Sequence, residues 1–156
     1  MKFTKMQGTG NDYIYINCFE ENIPDPVSLA VRLSDRHFGV GGDGIILISP
    51  SDSADIRMQM YNADGSEGKM CGNGIRCVAK YAYERGLVSK TEFTVETGAG
   101  IKTLSLAVES GIVKTVRVDM GIPSFICADI PVDAGTDEFI DMPIDVLGRS
   151  FDITCL

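Results

Sequence analysis

The feature that most constrains this chain is a helical segment with almost no polar face. From about Asn73 to Arg85, Ile75, Val78, Ala79 and Ala82 form one apolar stripe at helical spacing. Cys77, Tyr81 and Tyr83 fill much of the remaining surface, leaving Arg76, Lys80 and Glu84 as a narrow polar strip. A helix apolar nearly all round is a buried helix. Gly86 marks its end, a residue free to take positive φ after the last turn. What surrounds it is sheet, because most of the remaining chain alternates with period two. The strands expected are Lys2–Gln7, Tyr13–Cys18, Gly44–Ser49, Asp55–Tyr61, Thr91–Thr97, Ile101–Val108 and Ile112–Met120, with a further pair near Glu138–Ile144 and Ser150–Leu156. The fold class that follows is α+β, an antiparallel, barrel-like sheet wrapped around a central buried helix.

Local patterns refine this. Within Asp55–Tyr61, Ile56, Met58 and Met60 share one face and Arg57, Gln59 and Tyr61 the other, which suits a half-buried antiparallel strand. Gly98-Ala99-Gly100 and Glu109-Ser110-Gly111 are short links, so Thr91–Met120 reads as a three-stranded meander. Asp25-Pro26 supplies an N-cap and a proline at the first helical position for a second helix reaching about Arg36. At 156 residues the chain is expected to be one domain, 1–156, able to bury roughly 70% of its unfolded surface without disulfide or metal.

Charge narrows the partners. With 14 Lys+Arg against 22 Asp+Glu, the net charge of −8 repels a phosphate backbone or an anionic bilayer. Neither nucleic acid nor membrane is expected as a partner. The acids concentrate between Arg117 and Arg149, where Asp119, Asp129, Asp133, Asp137, Glu138, Asp141 and Asp145 stand without a lysine or arginine. This stretch reads as a solvated loop or edge-strand region. No apolar signal segment follows Met1, so a cytoplasmic location is expected. Cys18, Cys71, Cys77, Cys127 and Cys155 are scattered, with no Cys-x-x-Cys and His37 as the single imidazole, which excludes a zinc site and a full disulfide framework. They read as reduced thiols, mostly buried.

Chemistry concentrates in Tyr61–Cys77: a strand end, a glycine-rich loop, a thiol, and the start of the buried helix. Cys71 therefore sits at a helix N-terminus, where the N–H groups of Gly72, Asn73 and Gly74 favour an anion. Such a place suits a sulfur acting as base or nucleophile and a substrate carboxylate or phosphate beside it. The competing reading makes Cys71 a small apolar filler one turn from Ile75. The glycines after it favour close approach by a ligand. Cys77, in mid-helix, reads as core. Asn11 and Asn62 each lie in a turn, where an asparagine commonly satisfies local backbone. Gly39-Val40-Gly41-Gly42-Asp43-Gly44 matches Gly-x-Gly-x-x-Gly but precedes a strand, so it is no dinucleotide fingerprint. His37 reads as a helix C-terminal cap or a packed imidazole.

Three segments, in order and spacing, resemble the amino-terminal half of the diaminopimelate epimerases. They are Gly8–Tyr13, Asp35–Gly44, and Tyr61–Ser66 followed by Met70–Cys77. The resemblance spans the chain and is weakest from about Pro123 onward. It implies a fold of two similar halves, each a sheet wrapped around a central helix. It implies cofactor-independent interconversion of LL- and meso-diaminopimelate, for lysine and, in bacteria, peptidoglycan. Two cysteines on opposite faces of the substrate Cα exchange the proton, since one group on one face would return it where it came from. By this resemblance Cys71 is the amino-terminal catalytic cysteine, Gly72 and Asn73 give the amides that hold the α-carboxylate, and Asn11 and Asn62 bind substrate. Some members have a substrate-contacting glutamine where this chain has Gly44. The second cysteine belongs to the family's carboxy-terminal half, and none of Cys18, Cys77, Cys127 or Cys155 sits in its motif. The partners implied are the small-molecule substrate and either a complementing half or a second copy that brings two Cys71 face to face. The alternatives are a related racemase or isomerase of the same fold, such as a proline-racemase-like or phenazine-biosynthesis-type enzyme, and a non-catalytic carboxylate-binding module.

Overall fold

A computed structural model describes residues 1–156, which divide into two compact units, Met1–Asp119 and Met120–Leu156. The first contains strands β1 (Thr4–Gly8), β2 (Asn11–Asn17), β3 (Gly44–Ser49), β4 (Ile56–Asn62), β5 (Glu67–Gly68), β6 (Glu92–Thr97), β7 (Gly100–Glu109) and β8 (Ile112–Val118). Helix α1 (Pro26–Ser34) lies between β2 and β3, and α2 (Gly72–Glu84) between β5 and β6. The strands form one sheet in the order β1-β2-β3-β4-β6-β7-β8, with β5 paired to β4. Helix α2 packs against β1 and against β8, the two edges of that sheet. A helix about 10–12 Å across can touch both edges only if the sheet curls around it. Between those edges runs a groove of about 440 Å³, with Met6 and Gly8 on one side, Val113 and Val116 on the other, and Cys77 among its lining residues.

The curl is driven by burial. Ile75, Val78, Ala79 and Ala82 of α2 are fully buried against Tyr15, Ile46, Ile48, Ile56, Phe93, Val95 and Leu104, which come from five strands. Cys77 is buried in the same cluster, as its mid-helix position suggests. The helix ends as the sequence indicates: Gly86, at φ +74°, donates to the Tyr83 carbonyl at 3.1 Å, and Leu87 to that of Ala82 at 2.8 Å.

The opposite face is covered as well. Ile14, Ile16, Ile45, Leu47 and Tyr61 form a second cluster with Ala30 of α1. The continuous aliphatic run Ile45–Ile48 is therefore the signature of a strand buried on both faces. Tyr61, on the face of β4 expected to be solvated, is buried here beside α1.

Three expectations need correction. The sheet is mixed rather than antiparallel throughout: β2 pairs with β3 in parallel, and β4 with β6. Each parallel pair is separated by a helix-bearing connection of the length a crossover requires. Helix α1 stops at Ser34 rather than Arg36, because the Asp35 carboxylate accepts the backbone N–H groups of His37 at 2.7 Å and Phe38 at 2.8 Å and turns the chain. His37 is consequently exposed, and its backbone rather than its ring is bonded. The meander β6-β7-β8 is antiparallel as expected, with an irregularity between Ala107 and Val108.

The second unit carries a two-stranded antiparallel hairpin, β9 (Met142–Val146) and β10 (Arg149–Ile153), and an isolated bridge between Ile126 and Glu138. The acids of this stretch are exposed, in keeping with a solvated region. All five cysteines are free thiols: Cys77 and Cys127 are buried, and Cys18, Cys71 and Cys155 are half-buried. No helix is long and apolar enough to cross a membrane.

Candidate functional site

Strand register brings the candidate residues to one end of the sheet. Tyr13 pairs with Gly44 and Gly44 with Asn62, so the start of β2, the start of β3 and the end of β4 lie side by side. Asn11 stands two residues before Tyr13 on β2, and Cys71 opens α2 at the same end, where the Asn11 amide reaches it.

Cys71 is the N-cap of α2. Its backbone is extended, its carbonyl accepts the first helical bond from Ile75 at 2.9 Å, and its sulfur accepts the Gly74 N–H at 3.2 Å. A sulfur thus stands where Ser, Thr, Asn or Asp normally caps a helix. The Asn11 side-chain amide donates to the same sulfur at 3.5 Å. Cys71 is therefore a half-buried thiol that packs against the core cluster, as the filler reading expects, and in addition receives two N–H groups. Gly74 lets this happen: a Cβ there would stand 2.7 Å from the Ile46 Cδ1 and 3.4 Å from the Cys71 sulfur.

The N–H groups of Gly72 and Asn73 lie in the first turn, with no carbonyl one turn earlier in the helix to accept them. Space beside Gly72 is open, with no atom within 4 Å of where a Cβ would be. This is the environment in which a helix N-terminus takes an anion. The Asn73 side chain is turned toward Arg76, whose guanidinium donates to its Oδ1 and reaches the Thr9 Oγ1 at 3.5 Å.

Asn62 ends β4 in a tight turn. Its side-chain amide donates to Ser66 Oγ at 2.9 Å, its backbone N–H to the Ser66 carbonyl at 2.8 Å, and Asp64 accepts from the Ser66 backbone and hydroxyl. The local role expected of an asparagine here is present, with Ser66 as partner. The Asn62 Oδ1 takes no hydrogen bond from this turn. No contact joins Asn62 to Cys71; they share the sheet end.

Burial pushes the Tyr13 phenol up, and the nearby Cys71 sulfur and Asp43 carboxylate add to it. Tyr15, fully buried, is pushed up further by burial, with Cys77 beside it. Both phenols stay protonated in any ordinary pH range, so neither is a base for this site.

The residues that hold the site's frame escaped notice in the sequence. Arg36 grips Asp12 with two bonds, at 2.7 and 3.2 Å, and reaches Asp43 at 3.0 Å. Lys5 adds an ion pair to Asp12 at 3.0 Å. Asp43 in turn accepts the Asp12 N–H at 3.0 Å, and the Asp43 N–H donates to the Asp12 carbonyl at 2.7 Å. This cluster ties the end of α1 to the first residues of β2 and the approach to β3. The Arg36 guanidinium, and then the Lys5 ammonium, hold the Asp12 carboxyl far below the usual carboxylate range. Its contribution to stability is therefore full above about pH 4, the unfolded value, and is lost as pH falls below that. Asp12→Asn is expected to melt lower than the parent at neutral pH, with the gap closing below about pH 4. A gap in melting temperature that stays constant down the acid limb contradicts this role.

Known proteins resemble this chain at the level of family and fold. The family model for diaminopimelate epimerase matches residues 3–126. A diaminopimelate epimerase from Agathobacter rectalis is 57% identical over all of this chain, which covers 57% of that protein. One from Acetivibrio thermocellus is 52% identical, again over the whole chain and 56% of the relative. The chain thus spans about half the length of the curated relatives it matches. Among solved structures, a probable proline racemase from Agrobacterium radiobacter superposes with a TM-score of 0.61 at 19% identity, over 93% of this chain and 45% of the other. A hydroxyproline epimerase from Agrobacterium vitis gives 0.56 at 17%, over 74% and 40%. These distant likenesses establish the fold, a curled sheet around one helix. The identities near one half, carried along the whole chain, settle the narrower question: this chain belongs to the diaminopimelate epimerase family.

Proposed function

We propose that this chain supplies one half of a site that epimerises LL-diaminopimelate to meso-diaminopimelate, without a cofactor, by proton transfer at Cα between two sulfurs. The observation that carries the proposal is Cys71 at the N-cap of α2, its sulfur accepting two N–H groups while the N–H groups of Gly72 and Asn73 stand free of intrahelical partners. In this reading the substrate α-carboxylate sits on the Gly72 and Asn73 amides, where the helix dipole favours it. That places Cα beside the Cys71 sulfur. As a thiolate, Cys71 removes the α-proton from its face; as a thiol, in the other direction, it returns one. Asn11 and Asn62, at the same sheet end, offer amides to the polar groups of the substrate. The Asn62 Oδ1 is offered to an ammonium, while one of its two amide N–H groups is held by Ser66.

Inversion needs a second group on the other face of Cα. Cys77 is buried in the core of the sheet and cannot serve. The second sulfur comes from a complementing half, with a second copy of this chain as the competing source. A fragment that binds the carboxylate but moves no proton is the remaining reading. The test is incorporation of α-deuterium from heavy water into diaminopimelate. The chain recombined with a carboxy-terminal half exchanges and inverts, and the chain alone does not invert. A recombined enzyme that binds diaminopimelate but exchanges nothing would leave only the binding role.

A further inference from the structure

Two N–H groups reach the Cys71 sulfur, and they come from different places. The Gly74 N–H belongs to the helix that Cys71 itself begins. The Asn11 amide comes from the sheet, 60 residues earlier in the chain. Its position is fixed by an unusual turn. Thr9 and Gly10 join β1 to β2 with φ of +56° and +84°, the left-handed pattern of a two-residue hairpin turn. A β-branched residue rarely adopts that backbone, and Thr9 is held in it where Arg76 reaches its hydroxyl at 3.5 Å. Arg76 also binds Asn73, so one guanidinium fastens this turn to the first turn of α2. Gly10 is tied too, donating to Gln7 Oε1 at 3.0 Å. Strain of this kind persists only where the surroundings over-determine it. Here the fastened turn places one side-chain amide on the sulfur.

We propose that Asn11 is a positioning residue for Cys71: its side-chain amide holds the sulfur from the sheet side. The inference rests on the reading of Cys71 as a proton-transfer group. It gives Asn11 a task present before any substrate arrives. Other groups face the sulfur as well. From β2 these are the Tyr13 and Tyr15 phenols, which stay neutral, with the Asp43 carboxylate acting on Tyr13. Arg76, the charged residue of the first turns of α2, is engaged by Asn73 and Thr9. None of these donates a hydrogen bond to the sulfur, so removing the Asn11 amide leaves Gly74 as its single donor.

The experiment follows alkylation of each cysteine by iodoacetamide across pH in the full chain, by peptide mass spectrometry. Cys18 and Cys155, half-buried free thiols, serve as references, and buried Cys77 reports any loss of fold. Asn11→Ala is expected to slow Cys71 at neutral pH by about tenfold. Asn11→Asp, the same shape with a negative charge, slows it further. Cys18 and Cys155 keep their profiles, and Cys77 stays protected. A Cys71 profile in both variants that superimposes on the parent overturns the role of Asn11. If the parent Cys71 reacts no faster than Cys18 and Cys155, what fails is the reading of Cys71 itself, and the two failures are told apart within one data set. A variant in which Cys77 becomes reactive has lost its fold, and Asn11→Asp, which preserves the turn's shape, then decides the matter.

Discussion

Cys71→Ala, in an enzyme recombined from this chain and a carboxy-terminal half, is expected to lower the rate of inversion by about three orders of magnitude or more. General acid–base catalysis by one positioned group contributes on the order of 10²–10⁴-fold. Here the loss lies at the upper end, because inversion uses the two faces of Cα in sequence and cannot route around either. Cys71→Ser is expected to recover little. A hydroxyl caps the helix as well as a thiol does but is far less readily ionised, so this variant keeps the fold and loses the proton transfer. The comparison separates the two jobs of the residue. Binding of diaminopimelate is expected to persist in both variants, since in the proposed site the carboxylate is held by backbone N–H groups of Gly72 and Asn73 rather than by the sulfur. Inversion retained within tenfold of the parent in Cys71→Ala removes Cys71 from the chemistry.

The largest effect on stability is expected at Gly44. A Cβ there would stand 2.1 Å from the carbonyl oxygen of Tyr61 and 2.8 Å from Cε1 of the Tyr13 ring. The first obstacle is the backbone of β4, paired with β3 at this point, so no rotamer change relieves it. Gly44→Ala must push β4 away from β3, next to the Asn62 turn, or displace Tyr13 from the core. Overpacking of a well-filled interior costs about 1–3 kcal/mol, and a clash with backbone in the middle of a sheet lies at or above the top of that range. A urea midpoint lowered by the equivalent of about 3 kcal/mol is expected, with failure to fold as the extreme. Gly72→Ala is the contrast, because open space surrounds its added methyl and the expected change is within about 0.5 kcal/mol. Equal effects at the two glycines contradict the packing described.

Much of this was legible in the chain, for identifiable reasons. Helix α2 announced itself because a nearly all-apolar surface with a terminal glycine has one physical outcome, and the position of Cys71 followed from where that helix begins. Most strands of the first unit fell within one to three residues of their alternating segments. Alternation carries no direction, however, so the parallel pairing of β2 with β3 and β4 with β6 was hidden. Strand β5, two residues long, has no period to detect. The hairpin β9-β10 was displaced because prolines and acids break the pattern there. Least legible were contacts between distant residues. Arg36 lies 24 positions from Asp12, and Asn11 lies 60 from Cys71. Nothing local to either marks the other, and the resemblance supplied Asn11 as a substrate contact rather than as a neighbour of the sulfur.

In the proposed site these residues provide one proton-transfer face and not two. The measurement that tests it most directly is α-deuterium incorporation into LL- and meso-diaminopimelate by the purified chain in heavy water, under reducing conditions, with chiral analysis of the product. No inversion is expected: LL-diaminopimelate is recovered as LL, either unlabelled or labelled with retention. Formation of meso product carrying deuterium would contradict it, and would mean that two opposed thiols assemble from this sequence alone.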